Sequence, residues 1–275
     1  METNYTLHHT PILGDVVNGS LFFIPGMWND SKLFKAWVEK CSVAGYQSWS
    51  IDLNHRKRNL SVLNYVAIVH EAINCIEEEF SVRPVLLGHS MGGLIAQRVA
   101  SEIAVPALVL LSSPTPAGMG RFNWFLVLNS WRYLGQSLWN AYIRGCNKSV
   151  YSASSKADTM LDLCNILLPK KKRLRAIEFI ETNYNFDHLL FEEPPKVSRA
   201  LVDILFKRVK VGSLKCKYVL VVAGSSDKLV PPTTQWTLVE RYNAGYLEFP
   251  SGHMFPLEQN ADEILQQILA WLESR

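Results

Sequence analysis

This sequence predicts an α/β fold in which a mostly parallel central sheet is flanked by helices and interrupted by a helical insertion. Three observations carry that prediction. From residue 20 to 113 short apolar runs alternate with helical patterns, the alternation resumes after residue 215, and between about residues 118 and 210 the strand signal is absent. Buried strands alternating with helices imply parallel pairing with both faces of the sheet covered, and ligands then bind outside the carboxyl ends of the strands.

In chain order, "SLFFIPG" reads as a strand, "DSKLFKAWVEKCSVAG" as a helix and "YQSWSIDL" as the next strand. The helix "NYVAIVHEAINCIEEEF" leads to the strand "RPVLLGHS", a further helix follows at once, and "PALVLLSS" is again a strand. Each apolar run has strand length and is bounded by turn-forming residues, whereas the intervening segments repeat their apolar residues at helical spacing. After the gap come the strand "CKYVLVVAG", the helix "TTQWTLVERY", the strand "GYLEFPSG" and a closing helix "NADEILQQILAWLE". In the gap, "RFNWFLVLNSWRYLGQSLWNAYIRG", "KADTMLDLCNIL", "RLRAIEFIETNY" and "KVSRALVDILF" read as helices broken by Pro169, Pro194 and Pro195. We therefore expect a core formed by residues 1–117 and 211–275, with residues 118–210 as a helical cap over the carboxyl ends of the strands.

A chain of 275 residues with 48% hydrophobic and 19% charged residues can bury a large core and has the composition of a globular protein. The net charge of +3 is too small to argue for a nucleic-acid partner. Cys41, Cys75, Cys146, Cys164 and Cys216 are odd in number and widely spaced, which suggests reduced thiols in a cytoplasmic protein. The N-terminus lacks a basic start followed by an apolar stretch, and no apolar run reaches the about 18 residues that a membrane span needs. His8 and His9 are adjacent, so in a strand they point to opposite faces and read as exposed residues, not as a metal site.

The chemistry concentrates in three places. In "VLLGHSMGGLIAQRVA", Ser90 falls on the turn between a buried strand and a helix, and Gly88 and Gly92 stand two residues on either side. A strand that turns directly into a helix crowds its own backbone, so those two positions must be small. The pattern is that of a nucleophile elbow, which lifts a serine oxygen above the sheet and sets it at the positive end of a helix. A neutral serine hydroxyl is a poor nucleophile and needs a base and an orienting carboxylate. Asp227, just past a strand in "VVAGSSDKLVPP", and His253, on the loop after the next strand in "LEFPSGHMFPLE", supply both types in the order nucleophile, acid, histidine.

On these residues the sequence resembles the α/β-hydrolase superfamily over nearly its whole length. "GHSMGG" is similar to its elbow, "AGSSDKLVPP" to its acid loop, and "SGHMFPLEQNADEI" to its histidine loop and final helix. The resemblance implies a Ser90, Asp227 and His253 triad and leaves Asp52, which also follows a strand, a structural role. It also implies an oxyanion hole made by the backbone N–H of Met91 and of Met27. Relatives often carry His-Gly where this chain has Pro25-Gly26. That pair suits a turn with glycine at positive φ, which would direct the Met27 N–H inward. Relatives that act as dehalogenases or epoxide hydrolases place an aspartate where Ser90 stands, which speaks against those activities.

For the substrate, Trp28 beside the oxyanion loop either walls the pocket or packs. Trp124, Trp131 and Trp139 recur at helical spacing, as a packing stripe or as the apolar wall of an acyl pocket. The basic run from Lys170 to Arg175 reads either as a solvated helix start or as a contact for an anionic membrane surface or an acidic carrier protein. The expectation is a cofactor-free, metal-free serine hydrolase acting on an ester, thioester or lactone with an apolar acyl group. Its rival is a ligand receptor or pathway cyclase using the same pocket, since this fold hosts several functions.

Overall fold

The computed structural model describes residues 5–15, 17–27, 29–53, 60–119, 199–227 and 229–275. Seven strands form one sheet: β1 (Thr6–Thr10), β2 (Gly19–Ile24), β3 (Tyr46–Asp52), β4 (Val85–His89), β5 (Ala107–Leu111), β6 (Tyr218–Gly224) and β7 (Gly245–Phe249). Their spatial order is β1-β3-β2-β4-β5-β6-β7, and every pair is parallel except β1 with β3. The helices are α1 (Lys35–Val43), α2 (Val62–Phe80), α3 (Met91–Glu102), α4 (Arg199–Leu205), α5 (Pro232–Tyr242) and α6 (Ala261–Glu273). Apart from β1, strands and helices fall where the apolar runs and helical patterns put them, and the cap expected over 118–210 lies almost wholly outside the described residues.

The sheet is held by two cores, and the side-chain alternation of a strand assigns residues to one or the other. Phe22, Ile24, Leu86, Leu108, Leu110 and Val221 face the core filled by α2, α3 and Leu238 of α5. Their neighbours Leu21, Phe23, Leu87, Val109, Leu111 and Val222 face the opposite core, filled by Trp37 of α1 and by Ile264 and Ile268 of α6. Both faces of β4 are therefore dry. Each such Leu or Ile contributes roughly 1.5–3 kcal/mol by burial, so the strand that precedes Ser90 is rigidly placed.

Helix ends follow local chemistry. α2 starts in a capping box in which the Ser61 hydroxyl accepts from the Asn64 backbone N–H while the Asn64 side-chain Oδ1 accepts from the Ser61 N–H. α5 has Pro232 in its first turn and ends at Asn243 in the left-handed region, φ 48°.

Sheet order also locates a crevice. From β2 the chain steps to β3 on one side and then returns to β4 on the other, so the order reverses between β2 and β4. Loops leaving the carboxyl ends of those two strands diverge and leave a cleft. They carry Pro25-Gly26-Met27 and Ser90. Ile24 pairs with Gly88, which brings the two loops side by side.

The strand β1 was not visible in the sequence, and it explains the two histidines. His8 Nε2 lies 2.8 Å from Asp52 Oδ2 on β3, while the His9 ring stacks on Trp49, 5.0 Å between centroids. They do point to opposite faces. Cys41, Cys75 and Cys216 are free thiols. Among the described residues no helix is long and apolar enough to cross a membrane, and no group of three or more His, Cys, Asp or Glu is placed to hold a metal ion.

Candidate active site

Ser90 links β4 to α3 with φ 51° and ψ −122°, a conformation that L-residues rarely adopt. Its backbone N–H donates to Leu111 O of β5 at 2.9 Å, and its carbonyl accepts from Gly93 N. These bonds and the buried strand hold the strained turn. The small residues around it are required by contact. A Cβ on Gly88 would lie 2.5 Å from the Gly92 carbonyl oxygen, and one on Gly92 would collide with the carbonyl oxygens of Ile24 and Pro25. Gly92→Ala should therefore cost more than the about 1–3 kcal/mol typical of overpacking, because backbone and not a pliant side chain stands in the way. The control is Gly212→Ala, where the nearest atom would be 3.9 Å away. Chemical denaturation midpoints of the two variants check this, with a large fall expected only for Gly92→Ala.

Asp227 and His253 meet although they stand on different loops. The turn after β6 is fixed by Asp227 N donating to Gly224 O at 3.0 Å, and the loop after β7 by Ser226 N donating to Ser251 O at 3.0 Å. Both residues are buried, 3% exposed each. Asp227 Oδ1 accepts from the N–H groups of Leu229 and Val230 at 2.8 and 2.9 Å. Its other oxygen, Oδ2, lies 2.8 Å from His253 Nδ1. A carboxylate accepts here, so Nδ1 carries the hydrogen and Nε2 is left with a lone pair able to take a proton.

The histidine loop is tied down twice more. Gly252 N donates to Glu258 Oε1 at 2.7 Å, and Ser251 Oγ donates to Asn260 Oδ1 at 3.0 Å. Glu258 is 7% exposed, so its carboxylate acts as an internal clamp. His89, the last residue of β4 and the neighbour of Ser90, bonds the His253 carbonyl through Nε2 at 2.8 Å. The two imidazole rings are 4.9 Å apart. This contact brings the histidine loop onto the elbow.

Met91, first residue of α3, and Met27 are both buried. The first N–H groups of a helix have no intrahelical partner, so the Met91 N–H stands at the positive end of α3. Met27 is held by Asn29, whose side-chain amide donates to the Met27 carbonyl at 3.0 Å. One expectation is corrected. Gly26 is not at positive φ, and it sits instead in a close approach, where a Cβ would lie 3.0 Å from Ser90 Cβ and 3.1 Å from His89 Nδ1.

Asp52 has other partners than His253. Its Oδ1 accepts from Ser31 N at 2.7 Å and its Oδ2 pairs with His8, so it joins β1, β3 and the turn before α1. Burial pushes its carboxyl up, but the hydrogen bonds from Ser31 and His8 outweigh that and hold it below the usual carboxylate range. Trp28, Trp124, Trp131, Trp139 and the run from Lys170 to Arg175 lie outside the described residues. His89 and Glu258 were missed in the sequence. Glu258 offered one signal, an acidic residue a few positions after the histidine within an apolar loop.

The model of the alpha/beta hydrolase family matches residues 21–267. The chain belongs to that family. No curated protein matches it in sequence. Among solved structures it is similar to the monoacylglycerol lipase of Paleococcus ferrophilus, with 20% identity, a TM-score of 0.64 and 98% of each chain covered. It is also similar to a thermophilic esterase from Thermogutta terrifontis, 17% identical with a TM-score of 0.70, covering 98% of this chain and 93% of that one. The enol-lactonase of Burkholderia xenovorans is a third such structure, 12% identical with a TM-score of 0.68, covering 98% of this chain and 96% of that one. At these identities the likeness establishes a shared fold.

Proposed function

We propose that this protein is a serine hydrolase that cleaves a carboxylic ester, thioester or lactone through an acyl-enzyme on Ser90. The observation that carries the reading is the buried Asp227–His253 pair held against the strained elbow of Ser90. In the first half-reaction Ser90 Oγ attacks the carbonyl carbon while His253 Nε2 takes the serine proton. The tetrahedral oxyanion is held by the N–H groups of Met91 and Met27. Collapse breaks the bond to the leaving group, which departs as an alcohol or thiol after receiving that proton from His253. Water then attacks the acyl-enzyme, His253 takes the water proton, and collapse returns it to Ser90 Oγ as the carboxylic acid leaves. In a lactone both products remain one molecule, a hydroxy acid. No step calls for a cofactor or metal.

The lipase, esterase and lactonase among the structures of the same fold support a carboxylic substrate. The preference for an apolar acyl group rests on the aromatic residues of the insertion, Trp124, Trp131 and Trp139, and on Trp28. The test is a panel of acyl esters, thioesters and lactones of graded chain length. Turnover above background in at least one class, rising with apolar chain length before it falls, is expected. Saturable binding of these compounds without turnover would overturn the reading in favour of a receptor.

A further inference from the structure

His89 is fully buried, yet only one of its two ring nitrogens has a partner. An apolar side chain of similar size would avoid the unpartnered Nδ1 but would take this donor away from the His253 carbonyl, so the bond, and not packing alone, accounts for an imidazole here. Its position is unusual. It is joined through the chain to Ser90, it bonds the main chain of His253, and its Nδ1 edge lies against Gly26 of the loop that carries Met27. One ring thus touches all three segments of the candidate site.

We propose that His89 is a positioning residue whose Nε2–H, donated to the His253 carbonyl, holds the histidine loop in register with the elbow so that the His253 imidazole meets Ser90. The inference rests on the hydrolase reading given above. A carbonyl can only accept, so Nε2 must carry the hydrogen and Nδ1 must lack one. Burial, reinforced by the neighbouring His253, pushes His89 down to about 3. The bond to the His253 carbonyl and the Asp227 carboxylate oppose this without reversing it. His89 is therefore uncharged at working pH, and its donor is permanent.

The two rings also meet in a tilted contact, 53° between planes, so the hydrogen bond and the ring contact together set their separation. A displacement of His253 of about 1 Å is enough to cost roughly 100-fold in rate. Removing the donor should accordingly lower kcat about 10- to 100-fold with KM little changed.

The experiment has two arms. In the wild-type protein labelled with 15N-histidine, long-range 1H–15N correlations should show His89 with its hydrogen on Nε2 and no titration between about pH 5 and 9, as its lowered range requires. A hydrogen on Nδ1, or a titration in that range, would overturn the proposal, and this arm needs neither a variant nor activity. The second arm compares His89→Met with His89→Gln, whose side-chain amide can reach the same carbonyl, using kcat and KM on the best substrate and amide exchange at Gly252 and His253. The expected result is a kcat loss and faster loop exchange in the methionine variant, both largely recovered by glutamine. Equal losses in two folded variants, or wild-type kcat and exchange in the methionine variant, would overturn it. If the wild type neither turns over ester nor is labelled at Ser90, the hydrolase reading fails, and the tautomer and exchange results still decide whether His89 clamps the loop.

Discussion

Ser90→Ala and His253→Ala should each lower kcat on the best ester by about 10⁴- to 10⁶-fold, and the double variant should be no worse than either alone. The non-additivity is the informative part. If His253 acts only by taking the serine proton, it has nothing to do once that oxygen is gone, and if Ser90 acts only when deprotonated, it is idle without the base. What would survive is the stabilisation proposed for the N–H groups of Met91 and Met27, which neither change touches. Ser90 sits on a turn fixed by backbone bonds to Leu111 and Gly93, so losing its hydroxyl should leave the fold intact. Steady-state kinetics on variants with unchanged thermal midpoints check this. Multiplicative losses in the double variant would mean that the two residues act independently.

Asp227→Asn should cost about 10⁴-fold in kcat, and Asp52→Asn should cost almost none. The asymmetry follows from the hydrogen-bond pattern. An asparagine at 227 can still accept from Leu229 and Val230 with its carbonyl oxygen, which turns its NH₂ toward His253 Nδ1. Two donors then face each other unless the imidazole moves its hydrogen to Nε2. In that tautomer the ring cannot accept the serine proton, so the rate falls while the loop keeps its shape. At position 52 the loss is confined to a partly exposed pair with His8, worth roughly 0–1 kcal/mol of stability. The kcat values of the two asparagine variants decide the matter, and a large loss at 52 with none at 227 would reverse the assignment of the acid.

How much of this was legible in the chain depended on whether a feature is written locally. The parallel strands were, because β2, β4, β5 and β6 are buried on both faces and read as continuous apolar runs. The elbow was, because crowding at Gly88 and Gly92 arises within a few residues of Ser90. Asp227 and His253 were singled out by order and by position at strand ends, although only the folded chain brings them to 2.8 Å. By contrast, β1 has the sequence Thr-Leu-His-His-Thr, which lacks an apolar run, and only its pairing with β3 makes it a strand. His89 was hidden for a similar reason, since its partner lies 164 residues away. Gly26 was read as a turn glycine at positive φ, whereas what marks it is the close approach of Ser90 and His89 from another strand. Long-range contacts, not local propensity, wrote those three features. Most of the cap expected over residues 118–210, including its three tryptophans, falls outside the described residues, and its part in acyl selection is carried to the substrate panel.

The central claim is that Ser90 becomes covalently acylated, and intact mass after treatment with a fluorophosphonate tests it most directly. Attack of Ser90 Oγ on phosphorus expels fluoride and leaves a stable mimic of the tetrahedral intermediate, so the reagent reports the nucleophile and the oxyanion site together. The account predicts one adduct per chain in the wild type, located by peptide mapping to Ser90, formed far more slowly in His253→Ala and absent in Ser90→Ala. An adduct that persists in Ser90→Ala would contradict it.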